Sequence, residues 1–112
     1  MIEEPSGSSI SLAPGVRVPE AVLQWTFSRS GGPGGQNVNK TSTRATLTVH
    51  LADLSPHLPE WAMVRLREMA GQRLAREPDR LVITSADSRS QHQNREACVL
   101  KLRDLLVRSL SR

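Results

Sequence analysis

Residues 22–29, VLQWTFSR, followed by SGGPGGQNVNK at 30–40 and TRATLTVHL at 43–51, decide the fold. In the first segment Val22, Gln24, Thr26 and Ser28 alternate with Leu23, Trp25, Phe27 and Arg29. A period of two with both aromatics on one side predicts a half-buried strand. In the third, Ala45, Leu47, Val49 and Leu51 alternate with Arg44, Thr46, Thr48 and His50. That pattern predicts a second strand, the antiparallel partner of the first. The segment between them holds Gly31, Gly32, Gly34, Gly35 and Pro33 and almost nothing apolar. It suits neither helix nor strand and reads as a long loop, a length uncommon in a small domain without a function.

Working outward, Ser55-Pro56-His57-Leu58-Pro59 turns the chain into a helix expected from Pro59 to about Arg76, with Ala62, Leu66, Met69 and Arg73 to Leu74 on its inner stripe. Pro78-Asp79 ends it, and Leu81 to Thr84 is a third strand. A second helix is expected from about Gln91 to Ser109, burying Cys98, Leu102, Leu105 and Leu106 at i, i+4, i+7 and i+8. The order β-β-α-β-α predicts an α+β domain over residues 16–112, with helices on one face of a mixed or antiparallel three-stranded sheet. Residues 1–15, rich in serine before the first pattern, are expected to be disordered or loosely attached.

The chain has 112 residues, room for one small core, and a net charge of +4 carried by 15 basic residues, of which only Lys40 and Lys101 are lysine. Arginine's planar fork pairs with phosphate and stacks on bases, so the balance leans toward a nucleic-acid partner, although a merely basic surface has the same composition. Cys98 is the single cysteine, which rules out an internal disulfide and argues against a cysteine-ligated metal site. No apolar run reaches the length of a membrane span, and the acidic start Met1-Ile2-Glu3-Glu4 has no apolar core of a signal peptide. These features suit a cytoplasmic protein without a membrane span, and a monomer is expected. His50, His57 and His92 have no carboxylate or cysteine pattern around them and read as surface or capping residues, and Cys98 reads as core.

Three readings compete for the loop. Gly34 to Thr41 nearly spells a phosphate-binding P-loop, but Asn39 stands where glycine is needed and the chain continues into a strand rather than a helix. A glycine-rich linker is the plain alternative. The third is an active loop: adjacent glycines bring the backbone close to a reacting centre without a Cβ in the way. A glutamine after them offers non-ionisable donors and an acceptor, able to hold a water and stabilise an oxyanion but not to act as a strong base.

Ser28-Arg29-Ser30-Gly31-Gly32-Pro33-Gly34-Gly35-Gln36-Asn37-Val38-Asn39-Lys40 resembles the signature of the catalytic domain of class I peptide chain release factors. Arg89-Ser90-Gln91, followed by Asn94-Arg95-Glu96-Ala97, resembles that family's second short block, in the same order along the chain. The likeness runs from about Val16 to Leu110. Release factors that read stop codons carry further domains, so the chain is most similar to the single-domain ribosome-rescue peptidyl-tRNA hydrolases of the alternative ribosome-rescue factor B type.

The resemblance implies peptidyl-tRNA in the large-subunit peptidyl-transferase centre as substrate and hydrolysis of its ester as reaction. It makes Gly34, Gly35 and Gln36 the catalytic residues, the glycines admitting the loop and the Gln36 N–H meeting the oxyanion while the side chain places water. It also makes Gln36 a methylation site, and it requires no catalytic metal or cofactor. Arg29, Lys40 and Arg44, with no acid among residues 29–44, are candidate contacts to ribosomal RNA or tRNA phosphates, the plainer reading being a solvated strand face. The family's single-domain members are expected to continue into a long basic tail, whereas Val107 to Arg112 carries two arginines. A non-catalytic module docking on ribosomal RNA or tRNA is the alternative function.

Overall fold

The computed structural model describes residues 8–29 and 43–111. Ser9–Ala13 (β1) and Val16–Pro19 (β2) form an antiparallel hairpin. Its turn places Gly15 at φ +80, a conformation that favours glycine. A short 3-10 turn, Glu20–Val22, leads into Gln24–Arg29 (β3), which pairs with Thr43–His50 (β4). Leu51–Leu54 (α1) and a 3-10 turn at Ser55–His57 precede the helix Glu60–Ala70 (α2). A further 3-10 turn, Gly71–Arg73, and the two-residue strand Leu74–Ala75 (β5) lead to Arg80–Ser85 (β6) and the final helix, Gln91–Leu110 (α3).

The main sheet has the order β3-β4-β6-β5 with every pairing antiparallel. Alternation along the central strands sorts their side chains. Ala45, Leu47 and Val49 of β4, and Leu81 and Ile83 of β6, are wholly buried, while Arg44 and Thr84 are exposed. The core-facing stripe of α3, Cys98, Leu102, Leu105 and Leu106, packs on that face as its spacing predicts, and α2 adds Ala62, Met63, Leu66 and Ala70 to the same core. The α+β class and the order of the long elements agree with the sequence pattern.

Four details correct the expectations. The segment before Val16 is ordered from Ser9: Leu12 and Ala13 are buried in the common core, and Ile10 packs against it. SISLA is itself an alternating strand, which its serine content disguises. The sheet has a fourth strand, β5, too short to leave a periodic signal. The first long helix stops at Ala70 rather than Arg76, because Gly71 takes φ +56 and ψ −124 and turns the chain out of the helix. The second strand gives way at Leu51 to the short helix α1.

Candidate functional site: the foot of the glycine loop

Gly34, Gly35, Gln36 and Lys40 lie outside the described residues, and so does the P-loop near-match. The described residues define the ground on which that loop stands. In register, Arg29 at the end of β3 faces Thr43 at the start of β4, so the chain leaves and re-enters the sheet at one adjacent pair. Strand pairing therefore holds Arg29 and Thr43, the described residues on either side of 30–42, next to each other.

Asn94, in the first turns of α3 and only 1% exposed, ties the returning end to the rest of the molecule. Its Nδ2 donates to the Thr43 carbonyl at 3.0 Å, to Thr43 Oγ1 at 2.7 Å and to the Ser88 carbonyl at 2.9 Å. Its Oδ1 accepts from the Ser88 backbone N–H at 3.0 Å and from Ser85 Oγ at 3.4 Å. Thr43 Oγ1 in turn reaches the Arg89 carbonyl at 3.3 Å. One buried amide thus joins β4, the turn after β6 and α3. A neutral side chain with both donors and an acceptor is needed here; a carboxylate has no N–H to give.

The helix that presents Asn94 is closed at its start by Ser90, whose Oγ accepts from the Gln93 N–H at 3.1 Å. Ser88 Oγ accepts from the Ser90 N–H at 3.0 Å and pairs with Gln93 Oε1 at 2.7 Å. This is a helix N-cap supported from one residue further back. Ser88, Ser90 and Asn94 in and beside this block therefore brace the start of the helix. The extent of Asn94's network is legible only once Thr43 lies beside it.

The two described cations of the site do not share a face. Arg29 is on the helix side of the sheet with Trp25 and Phe27, and Arg44 faces the opposite side with Ser28 as its register partner. Both are exposed, as is Arg89 in the turn beside the Thr43 foot. Arginine therefore flanks the loop's base on both sides of the sheet, with Asp87 the acid of the adjoining turn.

Trp25 and Phe27 were expected on a half-buried face. Trp25 is half-buried, but Phe27 is 38% exposed, because β3 is an edge strand that α3 does not cover. The two rings lie parallel, 6° apart in plane and 5.8 Å between centroids, and the Arg95 guanidinium stands 5.2 Å from the Trp25 centroid.

Cys98 is fully buried, its Sγ 3.5 Å from the carbonyls of Ala45 and Ile83. Burial pushes its thiol pKa up, partly offset by Lys101 and a backbone hydrogen bond from Leu47. A shielded, protonated thiol is a packing group and not a nucleophile. His92 is exposed at the start of α3, and His50 and His57 are half-buried. Among the described residues no three of His, Cys, Asp and Glu come together as a metal site, and no helix is long and apolar enough to cross a membrane.

Comparison with known proteins matches residues 10–112 to the model of the RF-1 domain. The chain belongs to the RF-1 domain family. It is 32% identical over 98 residues to peptidyl-tRNA hydrolase ArfB of Pseudomonas putida, covering 88% of this chain and 69% of that protein. It is 33% identical over 93 residues to large ribosomal subunit protein mL62 of Mus musculus, and 37% over 87 residues to the meiotically up-regulated gene 82 protein of Schizosaccharomyces pombe. These alignments cover 80% and 78% of this chain, but 43% and 48% of the two relatives, so the chain spans less than half of their length. The match starts at residue 10, inside β1, so the family's domain includes the N-terminal hairpin.

Proposed function

We propose that this chain is a ribosome-dependent peptidyl-tRNA hydrolase that releases nascent peptides from stalled ribosomes, acting as a cytoplasmic monomer. Membership of the RF-1 domain family carries the reading, since a relative covered over 69% of its length is named a peptidyl-tRNA hydrolase. The fixed foot at Arg29 and Thr43 supports it: a loop that must reach into a deep centre needs both ends held. Holding the reacting groups in place is itself a large part of catalysis.

In this mechanism Gly34 and Gly35 admit the backbone to the peptidyl-transferase centre. Water, oriented by the Gln36 side chain, attacks the ester carbonyl carbon. The tetrahedral intermediate carries its negative charge on the former carbonyl oxygen, which the Gln36 backbone N–H stabilises. The carbon–oxygen bond to the terminal ribose then breaks, the ribose oxygen takes up one of the water's two protons, and the peptide leaves as a carboxylate with the other proton released to solvent. Ribosomal RNA and the substrate's own ribose supply the remaining contacts, and the Gln36 amide is a site for methylation. Arg29, Lys40 and Arg44 bind phosphates of ribosomal RNA or the tRNA acceptor end, so binding weakens as salt rises.

The test is peptide release from ribosomes stalled with and without a codon in the A site. One oxyanion donor contributes about 3–4 kcal/mol, so Gln36→Pro, which removes the N–H, slows release by about 100- to 1000-fold. Gly35→Ala, which puts a Cβ at the close approach, and Gln36→Ala, which removes the water-placing amide, also suppress release. Full release by Gly35→Ala overturns the mechanism. A wild-type chain that binds ribosomes and releases nothing is instead a docking module for ribosomal RNA or tRNA.

A further inference from the structure

Beside the loop's foot lies a groove that hydrolysis at Gln36 does not use. It runs between β3 and the start of α3, encloses about 330 Å³, and is lined by Trp25, Phe27, Gln91, His92 and Arg95. We propose that it binds one unstacked nucleobase of single-stranded RNA, a proposal that rests on the reading of this chain as a ribosome-acting protein.

The register explains why the groove exists. Trp25 and Phe27 lie opposite Leu47 and Ala45, so all four point to the helix side of the sheet. Leu47 and Ala45 are completely covered. One strand further out the cover ends, and two aromatic rings meet the flank of α3 across an open cleft.

The chemistry of the lining selects the occupant. All five side chains end in planar π groups: indole, phenyl, carboxamide, imidazole and guanidinium. None is aliphatic and none is acidic. The Trp25 and Phe27 rings lie parallel and stacked, 6° apart in plane and 5.8 Å between centroids, and Arg95 stands at the Trp25 ring. Aromatic rings and arginine planes are the surfaces on which splayed bases stack, irrespective of sequence. Gln91 offers a donor and an acceptor together, the pattern of a base edge.

Charge supplies direction. Arg29 follows Phe27 on the same sheet face and is exposed, in position for the phosphate next to the stacked base. The adjoining groove, which shares Trp25 and Arg95, sets Glu20 and Glu96 against Arg95 and Arg103 and so offers a polyanion no net positive charge. The RNA therefore runs from the Trp25–Phe27 stack toward Arg29.

The test uses the full chain and a fluorescently labelled seven-nucleotide single-stranded RNA, with binding read by anisotropy. Phe27→Ala removes an exposed ring outside the core and leaves the melting temperature near wild type. It is expected to weaken binding by about 5- to 100-fold, the range for losing one stacked base. Phe27→Tyr restores it, and an RNA of equal charge with abasic positions binds the wild type as weakly as the intact RNA binds Phe27→Ala. Trp25→Ala gives the same loss where it folds, and Phe27→Ala decides the matter where it does not. Equal affinity of wild type and Phe27→Ala, or of intact and abasic RNA, overturns the proposal. So does a Phe27→Ala variant that loses ribosome binding yet holds the RNA unchanged, since the groove's partner is then a protein. The RNA measurement involves no ester and no ribosome. Loss of the hydrolase reading therefore leaves this result standing, and loss of the groove leaves Gln36 untouched.

Discussion

Asn94 is the residue on which the site's geometry depends most. Its amide meets five protein groups while being almost wholly buried. Asn94→Ala leaves the Ser88 N–H without its acceptor and takes one donor from each of the Thr43 and Ser88 carbonyls. An orphaned buried polar group costs about 1–3 kcal/mol. The expected loss, read by urea unfolding, is about 3 kcal/mol, with release activity falling by more than the folded fraction does because Thr43 is no longer held. Asn94→Asp does not rescue it, since the carboxylate cannot donate to Thr43 or Ser88. A variant of unchanged stability and full activity refutes this role. In the sequence Asn94 was visible as part of a short block. Its partners were not: Thr43 lies fifty-one positions away, and only the folded sheet brings it there. The split between Arg29 and Arg44, by contrast, was already written in the alternation of the two strands. Grouping them by nearness in the chain hid it.

At the scale of elements, local signals placed what they govern and missed what pairing governs. The three longer strands of the sheet and both long helices follow from apolar period and turn chemistry. Which strand lies at the edge does not, because strand order is a matter of contacts between distant segments. The aromatic face of β3 therefore read as half-buried, and the structure leaves its far end open. The overlong reading of α2 was a local miss, since glycine just past a helix is a stop signal in its own right. Gly71 sits at φ +56 with nothing within 4 Å of where a Cβ would be, so a substitution meets open space but a disfavoured backbone. Gly71→Ala is expected to destabilise the fold by about 2 kcal/mol through the backbone alone. Thermal unfolding checks this: a melting temperature equal to wild type would mean that α2 ends for another reason. Gly71 lies just before β5, at the opposite edge of the sheet from β3, so release per folded molecule stays unchanged.

For the whole molecule, the N-terminal hairpin is a structural part of the domain and not an appendage. Leu12, Ala13, Val16 and Val18 belong to one core with Leu47, Leu66 and Leu106, and the Ser11 carbonyl accepts from Arg103 Nε of α3 at 3.1 Å. The same α3 carries Asn94 at its other end, so β1 and the loop's foot are coupled through one helix. A chain beginning at Val16 keeps every residue of the expected domain but loses β1. Fully burying one large aliphatic side chain stabilises by about 1.5–3 kcal/mol. Removing Leu12, with the partly buried Ile10 and the small Ala13, and leaving β2 unpaired therefore costs about 4 kcal/mol. Against a total of about 5–15 kcal/mol for an ordinary domain, this is a large share. At about 4–8 °C per kcal/mol in a domain of this size, the truncated chain melts roughly 20 °C lower. Calorimetry on the two chains measures it directly. A shift of only a few degrees would mean that the hairpin merely rests on α3. A large shift, together with release that declines in step with the folded fraction, makes the hairpin a support of the fold that carries Arg29 and Thr43.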